Sequence, residues 1–309
     1  MSLLVNIAYY ITIYIGIPLY ICGIFGSILN ICILFANRQN PCTFLLIYSS
    51  IVDFLVLNVG LLPRILSVGF SIDPTLTNLM WCKIRTYGLR ITTLIAIYSV
   101  SLMSIERFLS SCRTVRWRQL SNISFVRWIT FLVTFIIATE GLPFFILTQI
   151  LRSSTSISCT PMYNLIFAKY ASFFCIPVLF GTLPLGIMVI MMILTYFKLH
   201  GRIHLRKAQR SLTLAIFLRI SFALISLGPY TVYFVYSAIA SITVPIKSGE
   251  RIAVENFILA VISVFLYITY SSSFLINFYI STTYRKQLTN LFGQPTGRRN
   301  VVRPAQMVI

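Results

Sequence analysis

Seven long apolar stretches, separated by short polar segments, constrain this chain more than any other feature. They fall at approximately 7–36, 43–70, 82–110, 125–150, 166–197, 212–241 and 253–280. As α-helices each is long enough to cross a hydrocarbon core about 30 Å thick, and a helix satisfies its own backbone groups where water is absent. No apolar/polar alternation of the β-barrel kind runs through them. With 58% hydrophobic and 10% charged residues, the chain is far from the roughly 25% charged of soluble domains. The expected fold is an all-α membrane protein, a seven-transmembrane helix bundle forming one domain over residues 1–293. The tail over 294–309, rich in Gly, Pro and Arg, is expected to be disordered.

Orientation follows from charge. The first stretch begins almost at Met1 and stays uncharged until Arg38, with no basic segment ahead of it; it is expected to be a membrane helix inserted with the N-terminus outside, and not a cleaved signal peptide. Segments 37–42, 110–124, 198–211 and 284–309 hold fourteen Lys and Arg, whereas 71–81, 151–165 and 242–252 hold three. That asymmetry is the positive-inside pattern and puts the C-terminus in the cytosol. The net charge of +19 sits in short loops beside membrane helices, which favours anionic lipid headgroups over nucleic acid as neighbours. After the seventh stretch, Tyr284 to Phe292 places Leu288, Leu291 and Phe292 on one face and stops at Gly293, as expected of a short amphipathic helix on the inner leaflet.

The residues that enzymes need do not assemble into a motif. There is no P-loop, nucleophile triad, carboxylate pair or metal-ligand cluster, and His200 and His204 lack a third ligand. The expectation is a protein that is not an enzyme and carries no catalytic residues, cofactor or metal. No internal repeat is visible, which argues against transporter folds built from two related halves.

Two sets of residues carry the chemistry. Cys82 opens the third apolar stretch and Glu106-Arg107-Phe108 close it, about 25 residues of helix apart, so the two ends lie near opposite membrane faces. Taken alone, a Glu-Arg dipeptide at a helix end is most often interfacial charge, with the arginine snorkelling to headgroups. Asp53 lies mid-span, where a carboxylate costs about 2.5–3.5 kcal/mol on insertion scales. It is expected to face the bundle interior, as a hydrogen-bonding hub with Asn30. Pro63, Pro143, Pro177, Pro184 and Pro229 all fall inside apolar stretches, where each removes a backbone donor and lets a helix kink.

Gly26-x3-Asn30, Asp53, Cys82, Glu106-Arg107-Phe108 and a later Cys159 together make the chain similar to rhodopsin-like (class A) G protein-coupled receptors. The likeness covers nearly the whole chain and is densest over residues 20–115. It implies that Arg107 meets the C-terminus of a Gα subunit in the active state while Glu106 restrains it at rest. It further implies an activation-linked polar network of Asn30, Asp53, Ser273 and Asn277 that holds sodium in this family, and a pivot at Pro229. A Cys82–Cys159 disulfide is also implied, on a side where oxidation is permitted; the alternative is two buried thiols. The chain departs from the family pattern in several places. Ala96 stands where a hydroxyl is usual, Ser226-Leu227-Gly228-Pro229 lacks the tryptophan before the proline, and Ser273-Phe274-Leu275-Ile276-Asn277 stands at Asn-Pro-x-x-Tyr. Asn277 with Tyr279 offers a partial substitute.

On the outer side, Arg64, Lys83, Arg85, Arg90 and Lys169 accompany Glu140, taken as the one acid on the outer half of a helix. Unpaired intramembrane cations ask for anionic partners. A ligand pocket drawing on Arg64, Arg90, Glu140 and Lys169 is therefore expected to take a carboxylate-bearing ligand, a peptide C-terminus or an organic acid. Snorkelling is the competing explanation. Leu89, where amine receptors carry an acid, argues against a monoamine, and a seventh helix without lysine excludes a retinal Schiff base. A peptide, of the neuropeptide kind, is thus favoured by exclusion. The expectation is a multi-pass plasma-membrane receptor whose partners are an extracellular ligand, a heterotrimeric G protein and the lipid bilayer. The altered motifs in helices six and seven keep a non-signalling scavenger or scaffold as the alternative, and a small-solute transporter stands third.

Overall fold

The computed structural model describes residues 2–70, 72–112, 114–152, 157–160, 165–200, 207–243 and 248–292. Seven helices long and apolar enough to cross a membrane follow one another. They are helix one, Asn6–Asn37; helix two, Pro41–Gly69; helix three, Leu79–Ser111; helix four, Ile123–Leu147; helix five, Ala171–Lys198; helix six, Thr213–Ser237, within a longer helix Lys207–Thr243; and helix seven, Gly249–Ser271, continued by Ser273–Ile280. A short helix, Thr282–Phe292, follows.

Local chemistry sets where these helices begin and how they bend. Asn40, Asn78 and Asn122 cap helices two, three and four, their side-chain oxygens accepting from backbone N–H groups of the first turn; such caps satisfy donors that have no helical partner. Helix one breaks at Ile15, where the ring of Pro18 meets the carbonyl four residues earlier. Pro63 stands between two π-helical stretches, Leu57–Leu61 and Ile65–Gly69, and Pro177 lies inside a third, Ala171–Thr182. Widened turns of this kind accommodate the missing donor and the displaced carbonyl. Pro229 and Pro143, by contrast, sit within uninterrupted α-helices.

Helix three packs against helices two, four, five and six, and so runs through the middle of the bundle. Leu45, Leu57, Leu94, Met103, Ile216 and Leu227 are fully buried along this axis. Helix four turns Trp128, Phe131 and Phe135 outward, the surface expected of a helix facing lipid, whose chains are as apolar as the side chains. Helices one and seven approach closely because Gly23 and Gly26 lack side chains. A Cβ at Gly23 would lie 2.7 Å from Ser271 Oγ, and one at Gly26 2.7 Å from Phe274 Cβ.

One addition to the all-α expectation is a hairpin between helices four and five. Strand β1, Gln149–Arg152, runs antiparallel to β2, Ile157–Thr160, with Ile150 opposite Cys159. In the short final helix Tyr284 is buried and Leu288 packs on the core, while Arg285 and Lys286 are exposed. The side chains of Leu291 and Phe292, and the tail over 294–309, lie outside the described residues.

Candidate functional site

Three polar regions lie at successive depths along helix three. At the Cys82 end, helices two to seven surround a cavity of about 670 Å³, within the range of small-ligand sites. Cys82 and Cys159 are joined in a disulfide, which ties β2 to helix three and brings Cys159 into the cavity wall. Arg64, Arg85, Arg90, Leu89, Tyr230 and Tyr267 line the same space.

The cations there are not equivalent. Arg90 Nη2 donates to Glu140 Oε1 at 2.8 Å, and the guanidinium lies 3.7 Å over the Phe144 ring and 5.4 Å from that of Phe180. Glu140 also accepts from the Cys175 thiol at 3.2 Å. Arg90 is therefore internally neutralised and joins helices three, four and five, which corrects the expectation of an unpaired cation awaiting a ligand. Arg85 lies 3.9 Å from Asp73. Burial would raise the Asp73 carboxyl, but hydrogen bonds from the Thr75 hydroxyl and backbone N–H and from Ser67 outweigh it, holding the group below its ordinary range. Lys169 is exposed, and neither it nor Glu140 is among the cavity-lining residues. Arg64 forms no ion pair among the described residues, and its Nε is buried without a hydrogen-bond partner. Glu140 is also not alone as an outer-half acid: Glu255 of helix seven is buried against Arg251 and Tyr236.

At the other end Arg107 is buried, 7% exposed, with Nε 3.6 Å from Glu106 Oε2. Glu106 Oε1 accepts from Ser121 at 3.0 Å, and Cys42 of helix two lies against Arg107. Beside them the Lys198 ammonium sits 4.4 Å over the Phe108 ring and donates to Cys112 Sγ at 3.0 Å. Cys42 and Cys112 are free thiols.

Between the two ends lie two polar groups, one around Asn30 and one around Asp53, that share Ser273. Asn30 donates to Ser273 at 3.3 Å and accepts from Asn277 at 3.4 Å and from the Tyr284 hydroxyl. Tyr284, from the short helix, takes the place expected of Tyr279, which is 74% exposed. The Asp53 carboxylate pairs with Arg219 of helix six and has Ser273 as a further hydrogen-bonding neighbour, so it reaches Asn30 through Ser273 and not directly. Arg219 was missed in the sequence, although an arginine ten residues before Pro229, inside an apolar stretch, was a legible signal of a buried partner.

Seven helices able to span a membrane, with a cavity at one end, a buried arginine at the other and buried polar groups between, make a multi-pass membrane bundle. The chain belongs to the family described as the 7 transmembrane receptor (rhodopsin family), whose model matches residues 26–276. This is a receptor family and not an enzyme family. No curated protein matches the chain.

Proposed function

We propose that the Cys82 end faces the cell exterior, that its cavity binds a carboxylate-bearing ligand, and that the Arg107 end passes the bound state to a heterotrimeric G protein at the plasma membrane. The observation that carries the ligand class is Arg64: a cavity-lining guanidinium with no acid beside it among the described residues. A peptide C-terminus or an organic acid supplies the missing anion, and Tyr230 and Tyr267 offer hydroxyls nearby. The disulfide and the Lys/Arg asymmetry support the orientation.

Signalling in this reading is a population shift: a ligand with higher affinity for an open state raises that state's share, and a G protein bound to it raises ligand affinity in return. Arg107, closed off by Glu106, Ser121 and Cys42, becomes available only after the surrounding helices part. Asn30, Ser273, Asn277 and Tyr284 are placed to relay that rearrangement between helices one and seven, with Pro229 as the hinge of helix six.

The test is second-messenger output across peptides, organic acids and their amidated counterparts. Replacing Arg64 by Gln is expected to weaken carboxylate agonists about ten- to a hundredfold, the loss of a charge-assisted hydrogen bond of about 1.5–3 kcal/mol, and to leave amidated ones unchanged. Arg107→Ala is expected to abolish ligand-dependent nucleotide exchange. Agonists indifferent to Arg64→Gln would overturn the ligand class, and exchange that survives Arg107→Ala would overturn the coupling.

A further inference from the structure

The ion pair between Asp53 and Arg219 joins two helices far apart in sequence, in a buried part of the molecule. Asp53 is 1% exposed, Arg219 4% and Ser49 0%. Arg219 Nη2 donates to Asp53 Oδ2 and, at 2.7 Å, to Ser49 Oγ. Ser49 and Asp53 are four residues apart on helix two, hence on one face, one turn above the other. Together they form a two-pronged acceptor for a single guanidinium.

The surroundings are mostly apolar, with the hydroxyl residues Ser226, Thr269 and Tyr270 in the wall and Ser273 beside Asp53. Ala96, Ile97, Val100, Ala223, Leu227 and Leu266 wall the site, and the space left open amounts to about 20 Å³, room for about one water. Arg219 Nη1 and Tyr270 Oη are both buried without a hydrogen-bond partner, and both residues line that small space. A carboxylate and a guanidinium in such an enclosure depend on each other, because separating them strands two charges in a low-dielectric interior. Nearer the Arg107 end, helix six is also tied to helix seven through Ser211, whose hydroxyl donates to the Ile280 carbonyl at 3.2 Å. That bond is neutral, and charge-assisted bonds are roughly twice as strong.

We propose that Asp53–Arg219 is an interhelical lock. It tethers helix six to helix two across the bundle and must open before the Arg107 end of helix six can swing outward about Pro229. The lever is simple: Arg219 lies ten residues from Pro229, about 15 Å along the helix, so a rotation that moves the end near Lys207 by several ångströms carries the guanidinium away from Asp53. Arg219 thus acts as a built-in cation for the Asp53 carboxylate, and helix six is released when that cation leaves.

The proposal rests on the reading that helix six moves, so its test needs neither ligand nor G protein. Spin labels at Leu214→Cys and Arg118→Cys, both exposed, report the separation of helix six from the helix three–four segment, in a background with Cys22 and Cys32 changed to Ala. Arg219→Gln is expected to raise the population of the longer distance at least about tenfold. Arg219→Lys, which keeps the charge, is expected to resemble the parent. Should Arg219→Gln fail to fold, the pair Asp53→Asn/Arg219→Gln, which strands no charge, provides the same distance measurement with the same expectation. Unchanged distances in the charge-removed variant would overturn the lock, whether or not the protein couples to a G protein. Loss of nucleotide exchange with the distance shift intact would instead count against the coupling reading alone.

Discussion

Changing Glu140 to Gln tests whether Arg90 is a structural hub or a ligand contact. The pair is 2.8 Å apart, with the side chains 9% and 17% exposed. At about 4 Å between charge centres and an effective dielectric of about 20, the gross attraction is about 4 kcal/mol, and breaking buried pairs by removing one partner costs about 3–5 kcal/mol. Glutamine keeps a neutral acceptor worth about 1 kcal/mol, so the expected loss is about 2–4 kcal/mol. The double change Arg90→Met/Glu140→Gln leaves no unpaired charge and forfeits mainly the stacking on Phe144, about 0.5–2 kcal/mol. It should therefore be no less stable than Glu140→Gln alone. Thermal unfolding of purified protein in lipid nanodiscs is the assay. At about 2 °C per kcal/mol, suited to a long chain, the single variant should melt about 4–8 °C lower, and the double variant should recover part of that. Unchanged melting in Glu140→Gln, or strictly additive losses in the double variant, would refute the reasoning.

The other predictions concern packing, the polar group around Asn30, and pH. Gly26→Ala places a Cβ 2.7 Å from Phe274 Cβ, an atom fixed to its backbone; helices one and seven must separate, and denaturation should show a loss of about 1–3 kcal/mol. Tyr284→Phe removes the hydroxyl that reaches Asn30 and should cost about 0.5–1.5 kcal/mol, whereas Tyr279→Phe, on the surface, should cost nothing measurable. Asp73, held below the ordinary value of 3.8, stabilises the fold at pH above that value. This contribution should fade as pH falls through the lower folded value, so melting curves of the parent and Asp73→Asn should converge as pH falls below about 4.

The membrane character of this chain was legible because each helix needs about 20 apolar residues in a row whatever surrounds it. The seven stretches fell within a few residues of the observed helices, helix five included, where helical structure begins at Leu165 ahead of the span at Ala171. The register of Cys82, Glu106 and Arg107 along helix three was equally visible, since spacing along one helix is fixed by its 1.5 Å rise. The hairpin, by contrast, lay in a loop with no periodic pattern.

The sequence also determined that Asp53, Arg90, Glu140 and Arg219 would need partners, because a charge in the membrane interior must be neutralised. Only the tertiary structure decided which partners they have. Arg90 meets Glu140 across 50 residues of chain, and Arg219 meets Asp53 across 166. The physical reason is that apolar composition fixes the length of each helix but not its rotation or its neighbours; those follow from close approaches such as Gly26 on Phe274. The position of each charge was therefore written in the sequence, while its pairing, and the absence of an ion pair at Arg64 among the described residues, emerged only when the helices packed.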